Sequence, residues 1–206
     1  MTRIENFLAT LPGYAVELGL NLHDPDDRFK WFLAAFLFAK RISVEIAKKT
    51  IRLFISKGLV TPAALLKAGW HRLVDVLDKG GYVRYDYSTA SNLLLLAENI
   101  LNKYGSLENL YNCAGSSKDL EARLLEFKGI GPVCVNIFLR ELRGIWEKAQ
   151  PAPSPIAVEM AGVLGVEDFV KYEAALVRLN LEYCKRSKCT QCPVKEFCNK
   201  FKNNLR

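Results

Sequence analysis

Apolar residues recur along this chain at spacings of three and four, and no segment alternates apolar and polar residues with a period of two. Spacings of three and four place side chains on one face of an α-helix, whereas a half-buried strand requires the period of two. The 206 residues are 50% hydrophobic and 25% charged, which is the balance of a globular protein with a packed core. The chain is therefore predicted to be all-α. The last predicted helix shows the spacing in Phe169, Tyr172, Leu176, Leu179 and Tyr183.

Capping residues, prolines and glycines indicate where the predicted helices begin and end. Ser43 is expected to cap a helix to about residue 56, and Thr61 to cap a short helix to about residue 68. Ser154 is expected to cap a helix whose first residue is Pro155. Further helices are expected over 31–39, from 88 or 89 to about 104, over 117–127 and from 132 to about 142, with a break at Gly80-Gly81.

The longest unbroken apolar run, Trp31–Ala39, is nine residues long. A helix that spans a bilayer needs about 20 such residues, so no membrane partner is expected. The first residues, Met1–Asn6, carry charge but are not followed by the apolar segment of a secretory signal. A soluble cytoplasmic protein is therefore expected.

Basic residues exceed acidic ones by 29 to 22, and the last 26 residues contribute five of the seven net positive charges. A local basic excess of this kind suits a polyanion such as nucleic acid. A solubilising tail is the alternative interpretation. The basic residues of this segment are Lys185, Arg186, Lys188, Lys195, Lys200, Lys202 and Arg206.

Four of the six cysteines crowd into 15 residues, with gaps of four, two and five residues between them. Thiolates are soft ligands, and both a [4Fe–4S] cluster and a structural zinc ion take four of them. Zinc sites usually set two short-spaced pairs apart, so this compact spacing favours the [4Fe–4S] cluster, with zinc as the alternative. Disulfides are disfavoured because no secretion signal is visible. The predicted metal ligands are Cys184, Cys189, Cys192 and Cys198, whereas Cys113 and Cys134 are predicted core residues.

The segment Leu125–Cys134 is expected to form a helix, a two-glycine turn and a second helix that starts at Pro132. The turn Gly129-Ile130-Gly131 lets the backbone approach a partner closely, and the amides at the second helix's start favour an anion. Lys128 adds a positive charge beside them. A DNA phosphate is the expected ligand, and a plain interhelical turn is the alternative.

Together these features resemble the helix-hairpin-helix DNA glycosylase superfamily, in particular its endonuclease III branch, which pairs such a hairpin with a C-terminal [4Fe–4S] loop. The resemblance extends from about Phe29 to Cys198. Three further segments resemble parts of the family pattern. Arg28–Ala34 resembles the first core helix, and Lys79-Gly80-Gly81-Tyr82 resembles the glycine-aromatic loop. Leu164-Gly165 resembles a Leu-Gly pair that comes later in the family sequence.

The resemblance implies a two-lobed fold. A six-helix barrel lobe with the hairpin is expected over residues 30–145, and residues 1–29 with 146–206 are expected to form the cluster lobe. Enzymes of this family bind double-stranded DNA, flip a damaged base and cut its glycosidic bond. A monomer associated with the nucleoid is therefore expected.

The chain departs from the family pattern at three places. The first cysteine gap is four residues instead of six. Val133 stands where bifunctional members carry a lysine, so no amine is present there to form a Schiff base. Ser154 stands at the position of the family's catalytic aspartate, and a hydroxyl lacks the charge that stabilises a cationic sugar.

No catalytic residue can be assigned from the sequence, since both family positions are substituted. Asp86, in the aromatic loop 82–87, is one candidate for the missing carboxylate. Glu159, which lies more than a turn into its helix, and Glu126, which is expected at the surface, are the others, while His23 and His71 match no catalytic arrangement. The residues expected to contact DNA are Lys128, Gly129, Ile130, Gly131, Val133, Lys40, Arg41, Tyr82 and Arg84.

The leading functional prediction is a base-excision-repair-type protein, a monofunctional DNA N-glycosylase without lyase activity. A non-catalytic module that binds DNA lesions or distorted duplex is the alternative. A small iron–sulfur redox protein is a third possibility, although the hairpin and basic segment would then have no evident use.

Overall fold

The computed structural model describes residues Thr2–Asn203, with side chains through Phe201. All regular secondary structure in this part of the chain is helical, which confirms the all-α prediction. The α-helices in chain order are α1 (Arg3–Thr10), α2 (Tyr14–Glu17), α3 (Pro25–Phe38), α4 (Val44–Ser56), α5 (Pro62–Gly80), α6 (Asp86–Tyr104), α7 (Leu107–Cys113), α8 (Ser117–Leu125), α9 (Pro132–Arg140), α10 (Pro155–Leu164), α11 (Glu173–Glu182) and α12 (Asn199–Asn203). Short 3-10 helices lie at Val170–Tyr172, Cys184–Arg186, Cys189–Gln191 and Lys195–Phe197.

The chain divides into two compact units. One unit combines the N-terminal residues through Glu17 with the C-terminal residues from Ala152, and the other is Leu18–Pro151. Among the described residues, no helix combines the length and the apolar character that crossing a bilayer requires.

Helix α3 is the central element of the unit Leu18–Pro151. Its residues from Trp31 to Leu37 are all buried, and the indole Nε1 of Trp31 donates to the carbonyl of Phe138 at 3.1 Å. The helix begins six residues before the predicted start at Trp31 because Asp24 caps it and Pro25 occupies its first turn.

Three of the predicted caps are confirmed. The side-chain oxygens of Ser43, Thr61 and Ser154 accept hydrogen bonds from the third amide of α4, α5 and α10, respectively. These caps depend on residues adjacent in sequence, which explains why the sequence alone places them.

Other helix boundaries differ from the prediction. Helix α6 begins at Asp86, before Ser88, and α8 is capped by Ser116, with Ser117 as its first residue. The predicted helix from Thr61 ends near residue 68 as expected, because Gly69 has a non-helical backbone (φ 72°, ψ 172°), but a second helical segment, which was not predicted, continues α5 to Gly80. The predicted long C-terminal helix is a 3-10 turn at Val170–Tyr172 followed by α11.

The unit that contains both termini has its own hydrophobic core. Buried residues from α1, α10 and α11 pack together with Cys192 and Val194 of the C-terminal loop. Helix α1 was not predicted, although Thr2 and Glu5 form a reciprocal capping box at its start. The Thr-x-x-Glu spacing of these two residues is the sequence signal from which this helix could have been predicted.

Candidate functional site: helix hairpin and cysteine loop

The turn between α8 and α9 requires glycine at one of its two glycine positions. Gly129 has φ = 89°, and a Cβ there would lie 2.8 Å from Nδ2 of Asn92 and 3.2 Å from the Phe36 ring. Gly131 has an ordinary extended backbone (φ −121°, ψ 177°), and a Cβ there would meet no atom within 4 Å. Gly129 therefore shapes the turn, while Gly131 leaves open space at the start of α9.

Lys40, predicted to contact DNA, is half-buried and supports the hairpin from the end of α3. Its Nζ donates to the carbonyl of Gly129 at 3.2 Å and lies 5.0 Å from the centre of the Phe36 ring. The neighbouring Arg41 is exposed. The two adjacent cations thus have different surroundings, one bound to the hairpin and one facing solvent.

The outer surface of the hairpin is suited to an anionic partner. Helix α9 starts with Gly131 and Pro132, and no side chain caps it, so its first-turn amides and the helix dipole favour an anion. Lys128 is exposed beside this helix start, and Val133 is 63% exposed. Ile130 is buried, so its side chain anchors the turn and its backbone is the part left to contact a ligand.

Tyr82 does not lie where a DNA-contacting residue must lie. Its exposure is 0%, and its hydroxyl donates to the carbonyl of Leu37 at 2.7 Å. Burial raises the pKa of Tyr82 well above that of free tyrosine. The expectation that Tyr82 contacts DNA is corrected: it fastens the aromatic loop to α3. Arg84, in contrast, is exposed, with its guanidinium carbon 5.5 Å from the centre of the Tyr85 ring.

Asp86, the candidate replacement carboxylate, is engaged locally in the first turn of α6. Its Oδ1 accepts a hydrogen bond from the amide of Tyr87 at 2.6 Å. Desolvation and then the hydrogen-bonded Asp86 carboxylate raise the pKa of Asp78. Asp86 is therefore half of a carboxylate pair that shares a hydrogen bond, and neither member is buried.

Ser154, at the family's aspartate position, serves as a helix cap. Its Oγ accepts from the amide of Ala157 at 3.3 Å, and its own amide donates to Oε1 of Glu173 at 2.8 Å. Glu173 is 1% exposed and was not identified from the sequence, since its charge gives no indication of burial. The carboxylate of Glu173 thus positions the start of α10 from inside the unit.

The two other carboxylates considered are surface residues in ion pairs. Glu159 accepts from Nζ of Lys200 at 2.5 Å, and Glu126 from Nζ of Lys103 at 3.0 Å. The two histidines, His23 and His71, are exposed.

The cysteine loop consists of three 3-10 turns, and its four cysteines differ in exposure. Cys184 and Cys189 are exposed, Cys198 is intermediate, and Cys192 is buried in the core of its unit. The thiol of Cys184 lies 3.8 Å from the thioether sulfur of Met160 on α10. The loop is thus attached to the core at its centre and touches α10 at its start.

Two of the four loop thiols, those of Cys184 and Cys192, have raised pKa values. Burial raises the pKa of Cys184, and negative charge on Cys192, Cys189 and Cys198 raises it further. Four soft donors with this mutual repulsion fit a bound cation, which would reverse the effect on their ionisation. Within the described residues, however, no three or more such side chains are grouped closely enough to hold a metal ion. The donor set is of the type that ligates a thiolate-bound metal.

The two cysteines outside the loop also differ. Cys134 is fully buried, as predicted, and burial raises the pKa of its thiol to about 12. Cys113 was also predicted to be a core residue, and this prediction is wrong: the last residue of α7 is exposed.

The basic residues around the cysteine loop face solvent. Lys185, Arg186, Lys188 and Lys195 are all exposed. Arg206 and the side chain of Lys202 lie outside the described residues.

Comparison with known proteins adds no identification. No protein-family model matches the chain, and no curated protein sequence matches it.

Proposed function

We propose that the chain binds double-stranded DNA through the α8–α9 hairpin, as a base-excision-type protein similar to the endonuclease III branch. The observation that carries this proposal is the start of α9, where uncapped amides, the helix dipole and exposed Lys128 converge on open space left by Gly131. A phosphate oxygen placed there would accept hydrogen bonds from the backbone while Lys128 supplies charge. The unit Leu18–Pro151 would then be the barrel lobe, and the unit with both termini the cluster lobe.

The proposed reaction is hydrolysis of a damaged base from its sugar without lyase chemistry. Val133 carries no amine, so no covalent Schiff base can form at that position. Asp86, which lies in the same unit as the hairpin, is the carboxylate left to assist hydrolysis. A reaction that depends on it is expected to be slow, because Asp86 already bonds the Tyr87 amide.

A non-catalytic role as a lesion-binding or structure-binding module is the second candidate. The geometry of Ser154 favours it, since the hydroxyl caps α10 and the amide is held by Glu173. A serine occupied in this way provides a fold contact and no charge for a cationic transition state. DNA recognition by the hairpin is common to both candidates.

We further propose that Cys184, Cys189, Cys192 and Cys198 hold a [4Fe–4S] cluster, with zinc as the alternative. The soft donor set and its spacing within 15 residues support this proposal. When bound, the group would cross-link the loop 184–198. Cys192, packed in the core, would connect the cross-linked loop to α10 and α11.

The DNA proposal is tested by duplex affinity as a function of salt. We expect affinity to fall linearly on a log–log plot, and Lys128→Gln to weaken binding and reduce the slope by about 1, since one phosphate contact is lost. Lys67→Gln, which removes an exposed lysine from α5, is the matched control and is expected to change neither. Affinity that is insensitive to salt, or equal losses in both variants, would exclude the hairpin as the binding site.

A panel of lesion-bearing duplexes separates the two candidates. Abasic sites formed at any lesion support the enzyme, and Asp86→Asn is then expected to slow their formation. Selective binding without base release supports the module. The metal is tested by analysis of protein purified without oxygen: iron with a broad visible absorbance supports the cluster, and colourless protein with one zinc contradicts it.

A further inference from the structure

The unit with both termini contains a cavity of about 430 Å³ between α1 and the cysteine loop. This volume lies within the range of about 300–1,000 Å³ typical of small-ligand sites. Arg3 and Phe7 line it from α1, and Lys195 and Phe197 line it from the loop. The cavity therefore joins two cations and two aromatic rings from distant parts of the sequence.

The walls of the cavity are held by the core of their unit. Phe7 and Phe197 pack their edges against this core while remaining partly exposed. Cys192, which is one of the proposed metal ligands and itself lines the cavity, is buried in this core together with Val194. The aromatic rings thus have fixed positions and exposed surface, and such rings can stack on a planar ligand.

The cationic groups retain hydrogen-bonding capacity. Nζ of Lys195 donates to the carbonyl of Thr190 at 3.2 Å, which accounts for one of its three N–H groups. The guanidinium carbon of Arg3 lies 5.9 Å from the centre of the Phe197 ring, within the range of a cation–π contact. A guanidinium edge matches the oxygens of a phosphate.

The cavity also contains groups suited to a polar planar ring. The exposed side chains of Thr190 and Gln191 line it and provide a hydroxyl and an amide. Glu196 brings one negative charge, so the cavity keeps a net positive charge and gains an acceptor for amino or hydroxyl groups. A ligand with an anionic phosphate, hydroxyl groups and a planar aromatic ring matches these groups.

We propose that this cavity binds a nucleoside monophosphate, with the base against Phe7 and Phe197 and the phosphate on Arg3 and Lys195. The ligand could be a free nucleotide or the phosphorylated end of a nucleic-acid strand. The cavity belongs to a different unit from the hairpin, so the proposal stands independently of duplex binding.

The test is titration of the whole protein, purified without oxygen, with AMP, adenosine and inorganic phosphate. We expect saturable 1:1 binding of AMP and at least about tenfold weaker binding of the other two, because each lacks one half of the contacts. Arg3→Gln, Lys195→Gln and Phe197→Leu are each expected to weaken AMP binding about tenfold. Unsaturable AMP binding, or phosphate binding as tight as that of AMP, overturns the proposal.

Controls separate this site from folding and from the hairpin. Lys67→Gln and Lys128→Gln are expected to bind AMP like the unaltered protein, and an equal loss in them overturns the assignment to this cavity. Arg3 and Lys195 are exposed, so their variants are expected to keep the circular dichroism spectrum and melting temperature. If a short 5′-phosphorylated single strand binds more tightly than both its 5′-hydroxyl form and AMP, the ligand is the phosphorylated end of a strand. AMP as the tighter ligand supports the free nucleotide.

Discussion

Lys40 and Gly129 are 89 positions apart in sequence, and the ammonium of the lysine donates to the carbonyl of the glycine at 3.2 Å. This bond connects the end of the buried helix α3 to the turn of the hairpin. The turn that is proposed to bind phosphate is therefore held by the end of the largely buried helix α3, and changes in the turn are expected to affect both stability and binding.

Gly129→Ala is expected to destabilise the protein by about 1–3 kcal/mol. The left-handed backbone at φ = 89° disfavours a side chain, and the new Cβ would meet Asn92 and Phe36. Gly131→Ala is the matched control and is expected to change stability by less than about 0.5 kcal/mol, since its backbone is extended and its surroundings are open. Urea unfolding of both variants measures the difference. Equal losses of stability in the two variants would contradict the left-handed, closely packed backbone at Gly129.

Tyr82→Phe is expected to cost about 1–3 kcal/mol, because it leaves the buried carbonyl of Leu37 without its 2.7 Å hydrogen bond. DNA affinity of the folded variant is expected to stay unchanged, since this ring has no exposed surface. Thermal unfolding and duplex titration measure the two effects. A loss of affinity at unchanged stability would restore Tyr82 as a contact residue.

The free energy of unfolding is expected to fall as pH rises from about 9 to 12. In this window the unfolded chain releases the proton of Cys134, while the folded protein, in which the pKa of this thiol is raised to about 12, keeps it. The unfolded state thus binds fewer protons, and stability decreases by up to about 1.4 kcal/mol per pH unit for one such group. Below pH 9 the contribution is constant. Cys134→Ala should flatten this slope in unfolding measured at several pH values, and an unchanged slope would contradict the assignment.

Thiol alkylation of the folded protein is expected to separate Cys113 from Cys134. The exposed Cys113 should react at pH 8, whereas Cys134, buried and protonated, should react only after unfolding. Mass spectrometry of protein treated with iodoacetamide before and after denaturation identifies the modified residues. Early modification of Cys134 would show that α9 opens in the native state.

Val133→Lys is expected to fold normally, since Val133 is 63% exposed and a cation near a helix N-terminus costs only about 0.3–1 kcal/mol. If the start of α9 faces DNA, the added charge should tighten duplex binding and steepen its salt dependence by about 1. An exposed lysine there could also be trapped by borohydride on an abasic site. Ala122→Lys, which adds the same single positive charge at an exposed position of α8, is the control. Equal gains in both variants would indicate a general charge effect.

The part of the fold that depends on neighbouring residues could be predicted. Ser43, Thr61 and Ser154 cap helices as expected, because each cap joins atoms three residues apart. The hairpin between α8 and α9 follows from Gly129, Gly131 and Pro132 in the same way. The candidate hairpin site was therefore located by sequence, and its role in DNA binding stays a prediction.

What a side chain contacts across the fold could not be predicted. Tyr82 was expected at the surface and is buried against α3, and Cys113 was expected in the core and is exposed. Glu173 gave no sign that its carboxylate would be buried against the amide of Ser154. Burial of this kind depends on which helices pack together. The residues next to each of these positions in sequence do not indicate that packing.

The sequence by itself determined the helical class, the starts of α4, α5, α9 and α10 and the residues available for a thiolate site, because spacing and capping act within a few residues. Only the tertiary structure decided that Lys40 supports Gly129, that Cys192 anchors the cysteine loop in a core, and that α1 forms a cavity wall with Phe197. Those relationships join residues distant in the chain. They arise from the burial of apolar faces, which selects among many arrangements that local preferences leave equally open.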